Sequence, residues 1–329
     1  MKDENALAVW FTGKKGVELR GEIVSPSPGQ ALVRSRLIGI SHGTEMLFYR
    51  GDIDEGVALD ASLPSLNGVV RYPVKYGYIN VGTTEGKKVF AFYPHQTAFC
   101  IGREEAVFLP EHLSFDDAVF LAHMETAVSI VQDAHPTAGD VILVLGQGTV
   151  GLLVAEILKR THAGSVITVD GCEKRRTASE AVGCIAIDAN DPDADGKISD
   201  ITEGRGPDCA INVSGSQTAL QQAIDTVCFE GRIIEASWYG SRRVTIDLGM
   251  NFHRKRVTLQ SSQVSSIGTR LSRRWNKKRR LDLVISLLET ISPSKYITHR
   301  VPLPQVEKAY ELIANHPEDT IQVVLLPEG

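Results

Sequence analysis

The string Gly146-Gln147-Gly148-Thr149-Val150-Gly151 follows the apolar run Val141-Ile142-Leu143-Val144-Leu145 without a gap. It opens an amphipathic stretch that ends near Arg160. A second β-branched run, Val166-Ile167-Thr168-Val169, closes on Asp170 about 20 residues after the last glycine. Strand, glycine turn, helix, strand and terminal acid in this register form a dinucleotide-binding unit; an ordinary strand-to-helix turn needs one glycine and no acid at that distance. The first glycine permits the tight turn, the second lets the backbone approach a pyrophosphate, and the third lets helix and strand pack closely. Gly146, Gln147, Gly148, Thr149, Val150, Gly151 and Asp170 are therefore the expected cofactor contacts, with the Asp170 carboxylate accepting from the adenosine ribose hydroxyls. A carboxylate there repels a 2′-phosphate, so NAD is expected over NADP, with Lys174 a candidate to flank the ribose.

The rest of the chain fits around this unit. Short β-rich runs at 6–10, 16–23, 30–40, 69–71, 88–93 and 97–101 predict a barrel-like first lobe. The period lengthens to that of a helix from Ser114, and a second helix is expected over 126–134. Strands and helices then alternate to about residue 260, which demands a parallel sheet covered on both faces. A helical stretch over 269–290 follows, then a strand at 298–301, a helix at 304–314 and a strand at 320–326. The last strands are expected to return to the first lobe, leaving the cofactor in a cleft between the two.

Net charge of −5 gives no global attraction to nucleic acid or anionic membrane. No uninterrupted apolar run is long enough to span a bilayer, and the acidic, polar first residues do not read as a signal peptide, so a cytoplasmic protein is expected. Five cysteines stand singly with no Cys-x-x-Cys pair, which suggests neither a disulfide framework nor a zinc knuckle. One basic run, Arg270, Arg273, Arg274, Lys277, Lys278, Arg279 and Arg280, is spaced to put most of its charge on one helical face.

The order of lobes resembles the medium-chain dehydrogenase/reductase superfamily, the zinc-type alcohol dehydrogenase group. The likeness is carried by the segment Ile38-Gly39-Ile40-Ser41-His42-Gly43-Thr44-Glu45 and by Val213-Ser214-Gly215-Ser216 followed by Gly231-Arg232-Ile233-Ile234. Within it, Tyr49-Arg50-Gly51, Lys75-Tyr76-Gly77-Tyr78, Met124-Glu125-Thr126-Ala127 and Ser261-Ser262-Gln263-Val264 resemble a branch that includes hydroxyethyl bacteriochlorophyllide dehydrogenase. The resemblance implies an α/β fold. A GroES-like catalytic domain of residues 1–123 and 266–329 would flank a Rossmann NAD-binding domain of residues 124–265. It also implies that Ser214 lies beneath the cofactor, that the turn at Trp238 approaches the nicotinamide, and that the protein forms a homodimer or homotetramer.

Against the zinc-dependent relatives the chain departs where metal would bind. Ser41-His42 stands in place of the first cysteine, Gly77-Tyr78-Ile79 in place of Gly-His-Glu, and Leu121-Ala122-His123 in the third ligand region. No catalytic zinc is expected, with His42, Glu45 and His123 the one substitute set open. Side chains then have to hold the substrate oxygen and move its proton. Tyr78 and His42 are the expected donors, Glu125 the acid/base or relay, and Glu45 the group that orients His42. The expected activity is a zinc-independent, NAD(H)-dependent oxidoreductase acting between a secondary alcohol and a ketone of a small molecule. An enone or quinone reductase, and a catalytically silent nucleotide- or RNA-binding relative using the basic run, remain as alternatives.

Overall fold

A computed structural model describes residues 3–328 and divides the chain into two compact units. One contains the residues up to Ala122, Gly240–Arg242 and those from Ile285 onward; the other contains His123–Tyr239 and Arg243–Val284.

The first unit is β-rich. Glu4–Gly13 and Gly16–Val24 pair antiparallel, and the short strand Val74–Lys75 extends them. A seven-stranded sheet is built around Gln30–Gly39, which pairs with Asn80–Thr84, Ala98–Gly102 and Gln322–Leu326. In that central strand Ala31, Val33, Ser35 and Leu37 are buried while Arg34 and Arg36 face solvent. This is the two-residue period of a strand with one face packed. The expected return of the chain end is present: Gln322–Leu326 lies between Gln30–Gly39 and the parallel strand Ile297–Pro302. Aromatic rings close the core, with Phe48 stacked on Tyr76 at 3.8 Å and Phe11 edge-on to Tyr310 at 5.2 Å.

The second unit is a six-stranded parallel sheet. Its spatial order is Ile185–Asp188, Ser165–Asp170, Val141–Leu145, Cys209–Asn212, Arg232–Glu235 and Thr258–Ser261. Numbered along the chain this is 3-2-1-4-5-6, the doubly wound order in which a dinucleotide lies across the carboxyl ends of the strands. The switch point falls between Val141–Leu145 and Cys209–Asn212, both buried throughout apart from Val141.

Several local expectations are corrected. The run 69–71 is no strand but carries an isolated bridge from Val69 to Ala58. The helix expected at 126–134 begins at Leu121, after a separate turn Phe115–Ala118 capped by the Ser114 hydroxyl. The strand Ile185–Asp188 and helix Ala194–Ile201 went unforeseen, because four residues with one buried side chain give no readable period. The helix expected from 269 starts at Lys277, where the Asn276 side chain accepts the Arg279 amide. Arg270, Arg273 and Arg274 therefore sit on turns and Arg280 points inward, so the basic run is not one helical face. Residues 266–284, placed by the sequence with the first lobe, pack with the Rossmann unit, as does His123. Among the described residues no helix is long and apolar enough to cross a membrane.

Candidate nucleotide and substrate site

In the Rossmann unit the three glycines meet three different demands. Gly146 adopts φ +96°, and a Cβ there would lie 2.8 Å from the Ser214 backbone. Gly151 passes so close to the turn that a Cβ would sit 1.9 Å from the Gly146 carbonyl oxygen. Gly148 is different: nothing lies within 4 Å of the place a Cβ would take, so the backbone faces open space at the cap of the helix Thr149–Leu158. The first-turn N–H groups of that helix have no acceptor within it and carry the positive end of its dipole. Thr149 is buried at this turn and Val150 half-buried.

Asp170 ends the second strand of the sheet, buried, with its carboxylate bonded to two amides. Oδ2 accepts from the Gln147 N–H at 2.6 Å and Oδ1 from the Cys172 N–H at 2.8 Å. Gln147, placed in the sequence among the cofactor contacts, is buried and its amide is taken up by Asp170; it fixes the loop instead of facing outward. Arg175 approaches the Asp170 carboxylate at 3.9 Å, while Arg176 reaches the Asp170 carbonyl and the Asp188 carboxylate. Lys174 is exposed on the same helix.

The other half of the sheet edge is equally ordered. Ser214 is exposed, its hydroxyl donating to the Asn212 side chain at 2.6 Å and accepting the Ser216 amide. Trp238 is 42% exposed on the following loop. Asn212 and Glu235, register partners at the ends of their strands, carry signals that sequence reading passed over.

In the β-rich unit, Tyr78 donates to the Ser41 hydroxyl at 2.7 Å, with Thr44 at 3.4 Å. Burial pushes the Tyr78 phenol up to about 12, against the lowering effect of those hydroxyls. His42 is half-buried, and its Nε2 accepts the Val323 amide at 3.2 Å. That bond leaves Nε2 without a proton and unavailable as a ligand atom.

Two expected roles are corrected. Glu45 does not orient His42. Its Oε1 accepts the Ser41 amide at 2.8 Å, and its Oε2 accepts from His95 Nε2 at 2.9 Å and from the Tyr310 hydroxyl at 2.6 Å. All three side chains are fully buried, so Glu45 locks the chain around Ser41 to the helix Val306–Asn315. Tyr310 is raised well above its ordinary value by burial and by the Glu45 charge.

Glu125, the expected relay, is ion-paired in the Rossmann unit. Its Oε1 accepts from Arg280 Nε at 3.1 Å and Nη2 at 2.9 Å. The same guanidinium, 2% exposed, donates to the Ser129 hydroxyl and to the carbonyls of Val264 and Ser266. Held this way, the carboxylate is the counter-ion of a buried guanidinium.

The donor set does not fit the zinc of the relatives. The residues at the three ligand regions offer a hydroxyl, a neutral phenol, and imidazoles, one with its Nε2 bonded to an amide, where tetrahedral zinc takes thiolates and free imidazole nitrogens. Among the described residues the single convergent group of three candidate ligands is His316, Glu318 and Asp319, all exposed. His42, Glu45 and His123 are not such a group.

Comparison with known proteins agrees with this architecture. Residues 149–281 match the family model described as zinc-binding dehydrogenase. D-arabitol-phosphate dehydrogenase of Enterococcus avium is 23% identical over 236 residues, 70% of this chain and 64% of that protein. L-threonine 3-dehydrogenase of Bacillus licheniformis is 30% identical over 196 residues, 58% of this chain and 52% of that one. The chain thus spans about half to two thirds of the length of these curated relatives. The crystal structure of 2R,3R-butanediol dehydrogenase from Bacillus subtilis superposes with a TM-score of 0.80 at 20% identity, covering 98% of this chain and 100% of that one. An Escherichia coli structure described as a short chain alcohol dehydrogenase with NADH gives 0.78 at 18%, covering 98% and 99%. The chain shares its fold with these alcohol dehydrogenase structures.

Proposed function

We propose that this chain, with its alcohol dehydrogenase fold and its zinc-binding dehydrogenase segment, is an NAD(H)-dependent oxidoreductase that interconverts a secondary alcohol and a ketone without catalytic zinc. The single observation that carries the reading is the glycine turn. Gly148 opens onto free space at a helix N-terminus while Gly146 and Gly151 are sterically obligatory around it. A bound nicotinamide would supply or accept the hydride.

The residues that hold such a cofactor are those of the turn, with Asp170 for the adenosine ribose. The Asp170 carboxylate is anchored by two amides, so its charge stays beside the ribose position and disfavours a 2′-phosphate. Ser214 and Trp238 serve the nicotinamide half. For the proton, Tyr78 is the acid: its high pKa keeps it protonated through neutral pH, and it shares its proton with Ser41. A phenol of that strength protonates an alkoxide and acts as a hydrogen-bond donor to a carbonyl oxygen. His42, fixed by the Val323 amide, is the second candidate donor. The hydroxyls of Ser41 and Tyr78, in regions where zinc-dependent relatives are expected to carry ligands, support a reading without catalytic zinc.

A homodimer through the sheet edge is part of the same reading. The outer strand Thr258–Ser261 is exposed at all four residues, an edge that natural proteins cover or pair.

The test is calorimetric titration with NADH and NADPH, joined to turnover on a panel of secondary alcohols and ketones after exhaustive chelation. NADH binding well above NADPH, with turnover that survives chelation, supports the reading. Recovery of activity only on adding zinc overturns it.

A further inference from the structure

The polar groups at the carboxyl ends of the fourth and fifth strands form one closed network. Asn212 and Glu235 are the last residues of Cys209–Asn212 and Arg232–Glu235 and stand opposite each other in register. Glu235 Oε1 accepts the Ser237 amide at 2.7 Å. Its Oε2 accepts from Asn212 Nδ2 at 2.8 Å and from the Tyr239 hydroxyl at 3.2 Å. The Asn212 side-chain oxygen accepts the Ser214 amide at 3.2 Å and the Ser214 hydroxyl at 2.6 Å. The Ser237 hydroxyl accepts the Gly215 amide at 3.0 Å. The Asn212–Glu235 bond joins the two strand ends, and each of the others ties one of two loops, 213–216 or 236–239, to a strand end or to the other loop.

In a sheet of order 3-2-1-4-5-6 these two loops flank the half of the dinucleotide that lies beyond the switch point, away from the Asp170 side. Three donors converge on its two oxygens, each from the strand ends or the loops, so the carboxylate acts through the segments it holds. We infer that Glu235 is a positioning residue for the nicotinamide half of the cofactor, setting the spacing of the Ser214 and Trp238 loops through Asn212, Ser237 and Tyr239. The inference rests on the dinucleotide reading above. Burial and the Glu235 charge push Tyr239 up to about 12, so its hydroxyl remains a donor to that carboxylate at working pH.

Glu235→Gln keeps the shape and breaks the network. One amide oxygen replaces two carboxylate oxygens, and the new NH2 group has to face either the Ser237 amide or the Asn212 and Tyr239 donors. Tyr239→Phe removes one donor and keeps the ring. Binding of NADH and of ADP-ribose, which lacks the nicotinamide, is measured by calorimetry for the wild-type protein and both variants. Glu235→Gln is expected to weaken NADH about tenfold while ADP-ribose stays within about twofold, with Tyr239→Phe shifting the same way by less. Retained ADP-ribose binding also certifies that the variant is folded. Equal loss of both ligands, or loss of neither, overturns the positioning role. Failure of the wild-type protein to bind either ligand sinks the dinucleotide reading itself.

Discussion

Replacing Glu125 separates a structural ion pair from a catalytic acid. Both hydrogen bonds from Arg280 end on Oε1, and Arg280 is 2% exposed while the Glu125 side chain is 14% exposed. In Glu125→Gln the amide oxygen accepts the same two bonds, so what is lost is the charge opposite a buried guanidinium. Charge-assisted bonds exceed neutral ones by roughly a factor of two, which puts the cost at about 2 kcal/mol. Glu125→Ala removes the acceptor as well and leaves the cation unpaired, at about 4 kcal/mol. For a unit of this size about 2–4 °C of melting temperature accompany each kcal/mol. The glutamine variant is therefore expected to melt about 4–8 °C lower and the alanine variant about twice that, by scanning calorimetry. The kcat profile against pH is expected to keep its shape in Glu125→Gln. An unchanged melting temperature together with the loss of one limb of that profile would refute the structural assignment and return Glu125 to proton transfer.

Other outcomes follow from the same geometry. Tyr78→Phe is expected to lower kcat by about 10²-fold or more while leaving the NADH dissociation constant unchanged, in steady-state kinetics paired with fluorescence titration. Gly148→Ala is expected to leave the melting temperature alone and weaken NADH, because the space its methyl enters is open in the folded chain. Gly151→Ala drives a methyl into the Gly146 carbonyl and is expected to destabilise by about 1–3 kcal/mol in urea unfolding. Alkaline stability has a defined window. Tyr78 ionises near 10 when unfolded and near 12 when folded, and Tyr76 and Tyr310 are raised by burial as well. Below pH 10 both states are protonated and the contribution is complete; between pH 10 and 12 the unfolded chain releases protons that the folded one retains, so stability falls. Urea midpoints that stay level or rise across that window would contradict the burial of these phenols.

The nucleotide unit was legible in the chain because its demands are local. A turn with φ +96° at Gly146, a helix cap at Gly148 and a strand that ends on Asp170 are each written in a few adjacent residues. The return of 322–326 to the first lobe was likewise readable from topology rules. The side-chain roles were not. Glu45 was expected to orient His42 and Glu125 to act as acid/base or relay, yet each is claimed by a distant partner: Tyr310 and His95 for the first, Arg280 for the second. The basic run read as one face of a helix because its spacing fits 3.6 residues, whereas the helix starts only at Lys277 and Arg280 is drawn inward to Glu125. By itself the sequence determined the backbone geometry of the glycine turn, since φ, ψ and strand period are properties of neighbouring residues. Only the tertiary structure decided which charges are paired and which hydroxyls meet, because an ion pair forms between groups that the chain brings together from more than a hundred residues apart.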